Sequence, residues 1–190
     1  MNNNGKSEKV LQLETFLVVN KENFKSIYPD YVSIETRFPM FIYVKMSDEQ
    51  EIRRISQREN LDSLYLDLSI VLKWNDEKLL DTNLFELNLW EDLIEAAEVL
   101  SKEKSCKVRL GVQTVMLSVE ESLQGEVNWI VHDELEVNDI YFKVKLHDKN
   151  LLLKTIIDGG ISFYSTLIEY KFPNTDYIEY CLNRLKNITI

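Results

Sequence analysis

The run Leu64-Tyr65-Leu66-Asp67-Leu68-Ser69-Ile70-Val71-Leu72-Lys73-Trp74 sets the fold class. Leu64, Leu66, Leu68, Ile70, Leu72 and Trp74 alternate with Tyr65, Asp67, Ser69, Val71 and Lys73, so an extended segment here has one wholly apolar face and one mixed face. Successive side chains of a strand point to opposite sides. A strand patterned in this way belongs to an antiparallel sheet covered by helices on one side. Asn75-Asp76-Glu77 then signals a turn, and Lys78–Asp81 reads as the short return strand of a hairpin.

Upstream the same period recurs. Leu11, Leu13, Leu17 and Val19 fall on one face of an extended segment from Leu11 to Val19. Glu22–Tyr28 reads as a helical turn closed by Pro29-Asp30, and Tyr31–Thr36 and Met40–Met46 are β-rich runs separated by Phe38-Pro39, with Pro39 suited to a strand start or an edge. Asp48–Asn60 is polar and rich in Glu and Arg, which reads as a short exposed helix or a loop, and Leu79–Phe85 is open between strand and helix.

Downstream, a helix is expected to begin near Asn88, with Asn88 as its N-cap and Glu91 reaching back to the cap's amide. Its apolar stripe is Leu89, Trp90, Leu93, Ala97 and Leu100; its other face carries Glu91, Asp92, Glu95 and Glu98, with Lys102 and Lys104 near its end, where cations complement the dipole. Lys107–Leu117 reads as a strand with Val108, Leu110, Val112 and Met116 on one face, and Val127–His132 and Ile140–Leu146 as two more, joined by the acidic, turn-like Asp133–Asp139. A helix follows with Leu152, Ile156, Gly160, Phe163, Leu167 and Tyr170 on one side. Pro173-Asn174 breaks it, and a last helix, N-capped by Asp176, aligns Ile178, Cys181, Leu182, Leu185 and Ile188. The sum is α+β: a mostly antiparallel sheet of about six to eight strands with a middle helix and two C-terminal helices packed on it, since regular β-α-β alternation is missing.

The chain has 190 residues, 45% of them hydrophobic, with only five Gly and three Pro. That is enough to bury one sizeable core, so residues 1–8 are expected to be a flexible N-terminus and residues 9–190 one α+β domain. Met1-Asn2-Asn3-Asn4-Gly5-Lys6 has neither an apolar leader nor an Arg-rich amphipathic pattern, and no later apolar run reads as a bilayer span, so a cytoplasmic protein with no membrane contact is expected. Cys106 and Cys181 sit in apolar patterns without metal-ligand spacing, and packed, reduced thiols follow.

The charge is unevenly distributed. Trp74–Phe142 holds sixteen Asp and Glu against five Lys and Arg, while the whole chain carries a net −10. No Lys or Arg occurs from Leu110 to Phe142. A one-signed field of this kind attracts cationic partners and repels phosphodiesters and anionic membrane, so nucleic-acid binding is disfavoured.

Catalytic patterns are sparse. There is no Gly-rich phosphate loop: Gly159-Gly160 lies inside a helical pattern, where it lets another element approach closely. G-x-S-x-G, H-E-x-x-H and C-x-x-C are absent, and only His132 and His147 are available as an imidazole base. The most site-like segment is Val131-His132-Asp133-Glu134-Leu135-Glu136-Val137-Asn138-Asp139. If extended, it would place His132, Glu134 and Glu136 on one face as ligands for a divalent cation; as a turn, it is a solvated hairpin loop with a charged tip, and its composition favours the turn. Glu120 and Glu121 are adjacent and point to opposite faces of a strand, so they do not make an acid/base pair. A metal-dependent nuclease pattern fails too, because the positions two before Lys143 and Lys145 are Tyr141 and Lys143 and not carboxylates.

The acidic segment therefore leads the functional reading. A non-enzymatic acidic interaction protein is expected, binding a basic protein partner through Glu120, Glu121, Glu126, Asp133, Glu134, Glu136 and Asp139, with Trp129 as the apolar anchor, and requiring no cofactor and no metal. The profile (small, acidic, sheet plus helices, no catalytic motif) is similar to that of bacterial immunity proteins, which occlude nuclease toxins; no motif carries the likeness. Two alternatives come from other classes: a metal-dependent enzyme built on the His132 cluster, and a structural or regulatory subunit that self-associates as a homo-oligomer while its acidic face only confers solubility.

Overall fold

The computed structural model describes residues 10–27, 29–30, 39–58, 61, 63–122, 125–136 and 138–190. The expected strand Tyr31–Thr36 and the expected flexible residues 1–8 lie outside them. The described chain is α+β, with nine strands in two antiparallel sheets in place of one sheet of about six to eight.

The first sheet contains β1 (Leu11–Asn20), β2 (Phe41–Lys45), β3 (Asp67–Trp74), β4 (Glu77–Leu80) and β5 (Phe85–Leu87), in the order β2-β1-β3-β4 with β5 also on β3. Register pairs Leu13 with Leu72, Thr15 with Ile70 and Leu17 with Leu68, so the apolar sets read from β1 and β3 share a face. A short 3-10 turn at Ser63–Tyr65 replaces the first residues of the expected strand, and Asn75 turns β3 into β4 with φ of 54°. Helix α1 (Lys21–Ile27) follows β1 directly, and α2 (Glu49–Arg58) follows β2. The segment read as an exposed helix or loop is thus a helix anchored by Ile52 and Ile55, both fully buried.

The second sheet is a meander of β6 (Ser105–Arg109), β7 (Val115–Glu121), β8 (Val127–Asp133) and β9 (Ile140–Leu146). The stretch Lys107–Leu117, expected as one strand, is a hairpin: the chain reverses after Leu110 at Gly111, whose φ is +68°, and Val112 sits at the turn. Val112 continues the alternating pattern of its neighbours, so periodicity alone did not reveal the turn.

Between the sheets lies α3 (Leu89–Lys102), with Leu89, Trp90, Leu93, Ile94, Ala96, Ala97 and Leu100 all fully buried. It touches β3, β6, α4 (Lys149–Glu169) and α5 (Thr175–Lys186). Asn88 stands at the expected cap position but in the left-handed region, φ 55°; its side chain donates to the Leu64 carbonyl at 2.7 Å, and the helix is entered through the Glu91 N–H to Asn88 O bond at 2.7 Å. Asn174, not Asp176, occupies the cap position of α5, also in the left-handed region. The α4 start is capped conventionally, the Asp148 carboxylate accepting the Leu151 N–H at 2.9 Å.

One hydrophobic cluster runs through both sheets and through α1–α5. By length and composition α4 is long and apolar enough to cross a membrane, which corrects the reading that no run was; its buried stripe of Leu152, Ile156, Phe163 and Leu167 faces the core made with β1, α3 and α5. The glycine pair serves close packing, as read from the sequence: a Cβ on Gly159 would stand 2.9 Å from both the Trp90 ring and Leu13, and one on Gly160 would stand 2.8 Å from Leu185.

This crowding makes a test. Alanine at a helix interior gains about 1 kcal/mol over glycine in propensity, but an added methyl against a fully buried indole costs about 1–3 kcal/mol in overpacking. We expect Gly159→Ala to lower stability in urea unfolding while Ser165→Ala, exposed on the same helix, leaves it unchanged or raised; equal gains in both variants would show that Trp90 does not fix the α3–α4 distance.

Candidate functional site

The register of the second sheet decides which of the sequence-selected residues face solvent. Val115, Leu117 and Val119 of β7 and Val127, Trp129 and Val131 of β8 point into the core, and Met116, Ser118, Glu120, Asn128, Ile130 and His132 point outward. Trp129, expected as an exposed anchor, is fully buried, and its indole N–H donates to the Leu79 carbonyl at 3.0 Å. It joins the two sheets and is not at the surface.

Several carboxylates of the acidic segment are neutralised within the fold. Glu121 pairs with Lys149 at 2.7 Å, Glu126 pairs with Lys145 and His147, and Glu134 takes a two-point grip from Arg109 Nη2 at 2.7 and 2.5 Å. The Lys145 bond, first among the causes, holds the Glu126 carboxyl below the usual range. On α3, Glu98 holds Arg184 at 2.9 and 2.7 Å, and Glu91 accepts from the Tyr177 hydroxyl at 3.1 Å. The hydrogen bond from Arg184 is the main reason the Glu98 carboxyl sits below its ordinary value. Two of the four carboxylates on the polar face of α3, Glu91 and Glu98, are therefore engaged with α5.

Glu136 and Asp139, at the β8–β9 end of the sheet, and Glu120, beside Asn128 at its opposite end, have no ion pair or side-chain hydrogen bond among the described residues. Asp133 accepts from the N–H groups of Leu135 (2.8 Å) and Glu136 (3.0 Å) and from the hydroxyls of Thr114 (3.0 Å) and Tyr141 (3.3 Å). Those two backbone bonds, the leading causes, lower its pKa and keep the β8–β9 loop folded as a turn. The Glu134 N–H also reaches Thr114 O at 2.5 Å, so the β6–β7 and β8–β9 loops are tied side by side.

Four large apolar residues are exposed on these two loops and the adjoining start of β9: Val112 (75%), Leu135 (78%), Ile140 (47%) and Tyr141 (51%). Beside them a cavity of about 470 Å³ is lined by Leu84, Phe85, Val131, Tyr141, Phe142 and Asp81 among others. Sequence reasoning missed Val112 and Leu135; their signal was an apolar residue inside a turn-forming run. A larger cleft, about 680 Å³, opens between β1, the end of β2 and α4, and none of the residues selected for partner binding lines it.

The β6–β7 turn is held from below by carboxylates. Asp92 Oδ2 accepts the Gly111 N–H at 2.7 Å and Glu86 Oε2 the Val112 N–H at 3.1 Å. Burial, above all, pushes Asp92 up to about 7, and Glu91, Glu95 and Glu86 add to it. The metal alternative finds no geometry: the His132 ring nitrogens face Ser118 Oγ at 3.0 Å and the Asp133 carbonyl at 2.7 Å, Glu134 is taken by Arg109, and among the described residues no group of three or more His, Cys, Asp and Glu stands close enough to hold a metal ion. Cys106 and Cys181 are buried, and burial raises both thiols, Cys106 to about 11, so neither is a ready nucleophile.

Because Asp92 binds its proton more tightly folded than unfolded, its contribution to stability is complete below about pH 4 and is lost as pH rises through 7. Asp92→Asn, whose Oδ1 can keep the Gly111 N–H, is expected to be more stable than the parent at pH 8, by at most about 4 kcal/mol, with no such advantage at pH 4. Urea unfolding at the two pH values reads this, and an identical pH dependence in both chains would refute it. Comparison of the chain with protein-family models, with curated proteins and with solved structures finds no match.

Proposed function

We propose that this chain is a cytoplasmic, non-enzymatic interaction protein that docks a basic protein partner through the end of the second sheet, in the manner of an immunity-type inhibitor occluding a cationic surface such as that of a nuclease toxin. One observation carries the reading: exposed apolar residues and unneutralised carboxylates meet on two loops that are tied together. Val112, Leu135 and Tyr141 supply apolar anchors, while Asp133, Glu136 and Asp139 surround them with negative charge. Apolar anchors inside a charged rim are the usual division of labour at an interface, the anchors giving affinity and the rim giving association rate and choice of partner. Of the residues first selected, Glu121 and Glu126 are occupied with lysines and Trp129 is in the core, so the proposed surface moves from the strands to the loops.

The test is capture from lysate with the tagged protein, washed in rising salt, followed by identification of what is retained. A strongly basic partner held at low salt is expected, with Glu136→Lys plus Asp139→Lys weakening capture at least tenfold and Leu135→Asp doing so at any salt concentration. Ile190→Asp, near Gly125 and His147 at the far end of the same sheet, should change nothing. Capture that survives both loop variants, or retention only of further copies of the chain at every salt concentration, would overturn the reading.

A further inference from the structure

The loop Leu110–Thr114 presents Val112 at the proposed docking end, yet it rests on two carboxyl groups that gain no countercharge there. Consecutive amides of the loop, Gly111 and Val112, donate to Asp92 and Glu86 at 2.7 and 3.1 Å. The backbone lies so close over Glu86 that a Cβ on Gly111 would collide with its side chain. Glu86 is only 3% exposed, and its second oxygen, Oε1, has no hydrogen-bond partner. An ionised carboxylate with an open acceptor shielded from water is costly, and the cost is removed either by a proton or by access to solvent.

The groups acting on the pair from the surrounding elements reinforce this. Glu91 and Glu95 on α3 and Glu86 on β5 act on Asp92, and Asp67 on β3 acts on Glu86, all carboxyls; the Gly111 and Val112 amides lower the two groups, but by less than burial raises them. Arg109, the cation that leads into the loop, is spent on Glu134.

We propose that the β6–β7 loop is a proton-controlled clamp on the docking end: while the Glu86–Asp92 pair retains a proton the loop is held down with Val112 in place, and when that proton passes to solvent the loop lifts and both carboxylates are hydrated. Burial, the leading cause for both groups, raises Glu86 and brings Asp92 to about 7, which sets the change near neutrality. The clamped form binds the proton more tightly than the lifted form, so by linkage acidification favours the clamp. The consequence for docking rests on the function proposed above; the movement itself does not.

Hydrogen exchange of the Gly111 and Val112 amides, followed by NMR in the full chain without any partner and corrected for the intrinsic rate at each pH, reads the clamp directly. Protection is expected to fall at least tenfold between pH 6 and pH 8 in the parent, and to change less than threefold in Asp92→Asn or, should that variant fold poorly, in Asp92→Ser. Equal protection in the parent at both pH values, or the same fall in whichever variant folds, overturns the proposal. A loop that lifts as described while lysate capture finds no partner sustains the clamp and removes the docking reading; a captured partner with flat protection does the reverse.

Discussion

Trp90 is the residue on which the packing converges. It enters the core from the first turn of α3, is fully buried, donates its indole N–H to Thr15 Oγ1 at 3.1 Å and stacks on Phe163 with ring centroids 6.0 Å apart and planes 22° from parallel. A single side chain thereby touches the first sheet through β1 and the long helix α4. Room for it exists because α4 presents Gly159 and Gly160, where any larger residue would meet the ring or Leu13 and Leu185. Thr15, only 9% exposed, supplies through its hydroxyl the acceptor that a buried indole requires.

From that wedge the rest of the architecture follows. With α3 fixed against β1 and α4, its remaining sides meet β6 and α5, and each is fastened by polar bonds. Arg184 of α5 is held by Glu98 through two bonds, and the β6–β7 loop is held by Asp92, from the same helix, and by Glu86, which β5 places nearby. The second sheet gains a separate tie to the first through Trp129 and the Leu79 carbonyl. Two-point Arg–carboxylate pairs are among the stronger hydrogen-bonded contacts, whereas the more exposed Lys154–Asp158 pair along α4 adds little.

The strands and helices were legible because their signals are local. The period of two in β1, β3, β8 and β9 and the wider period of α3, α4 and α5 each depend on a few neighbouring residues. The errors also have local causes. Val112 preserves the alternation across a turn that depends on the positive φ of Gly111, so a hairpin read as one strand. Asn88 has the composition of a side-chain cap but spends its amide on Leu64, 24 residues away. Ile52 and Ile55 lie among charged residues on α2, and only their packing into the core shows that this helix is anchored. The division into two sheets had no sequence signal, since antiparallel strands of either sheet carry the same alternation.

The functional surface shows the sharper limit. By itself the sequence determined the α+β class, which positions of most strands and helices turn inward, and the excess of carboxylates between Trp74 and Phe142. Tertiary structure alone decided which carboxylates remain free, because the cations that neutralise them come from distant positions: Lys149 for Glu121, Arg109 for Glu134 and Arg184 for Glu98, 28, 25 and 86 residues apart. It also placed Trp129 inside and tied the loop carrying Val112 to the loop carrying Leu135, since alternation fixes which side of a strand a residue occupies but not what covers that side. Charge composition is additive along a chain, whereas charge at a surface is set by pairing in space.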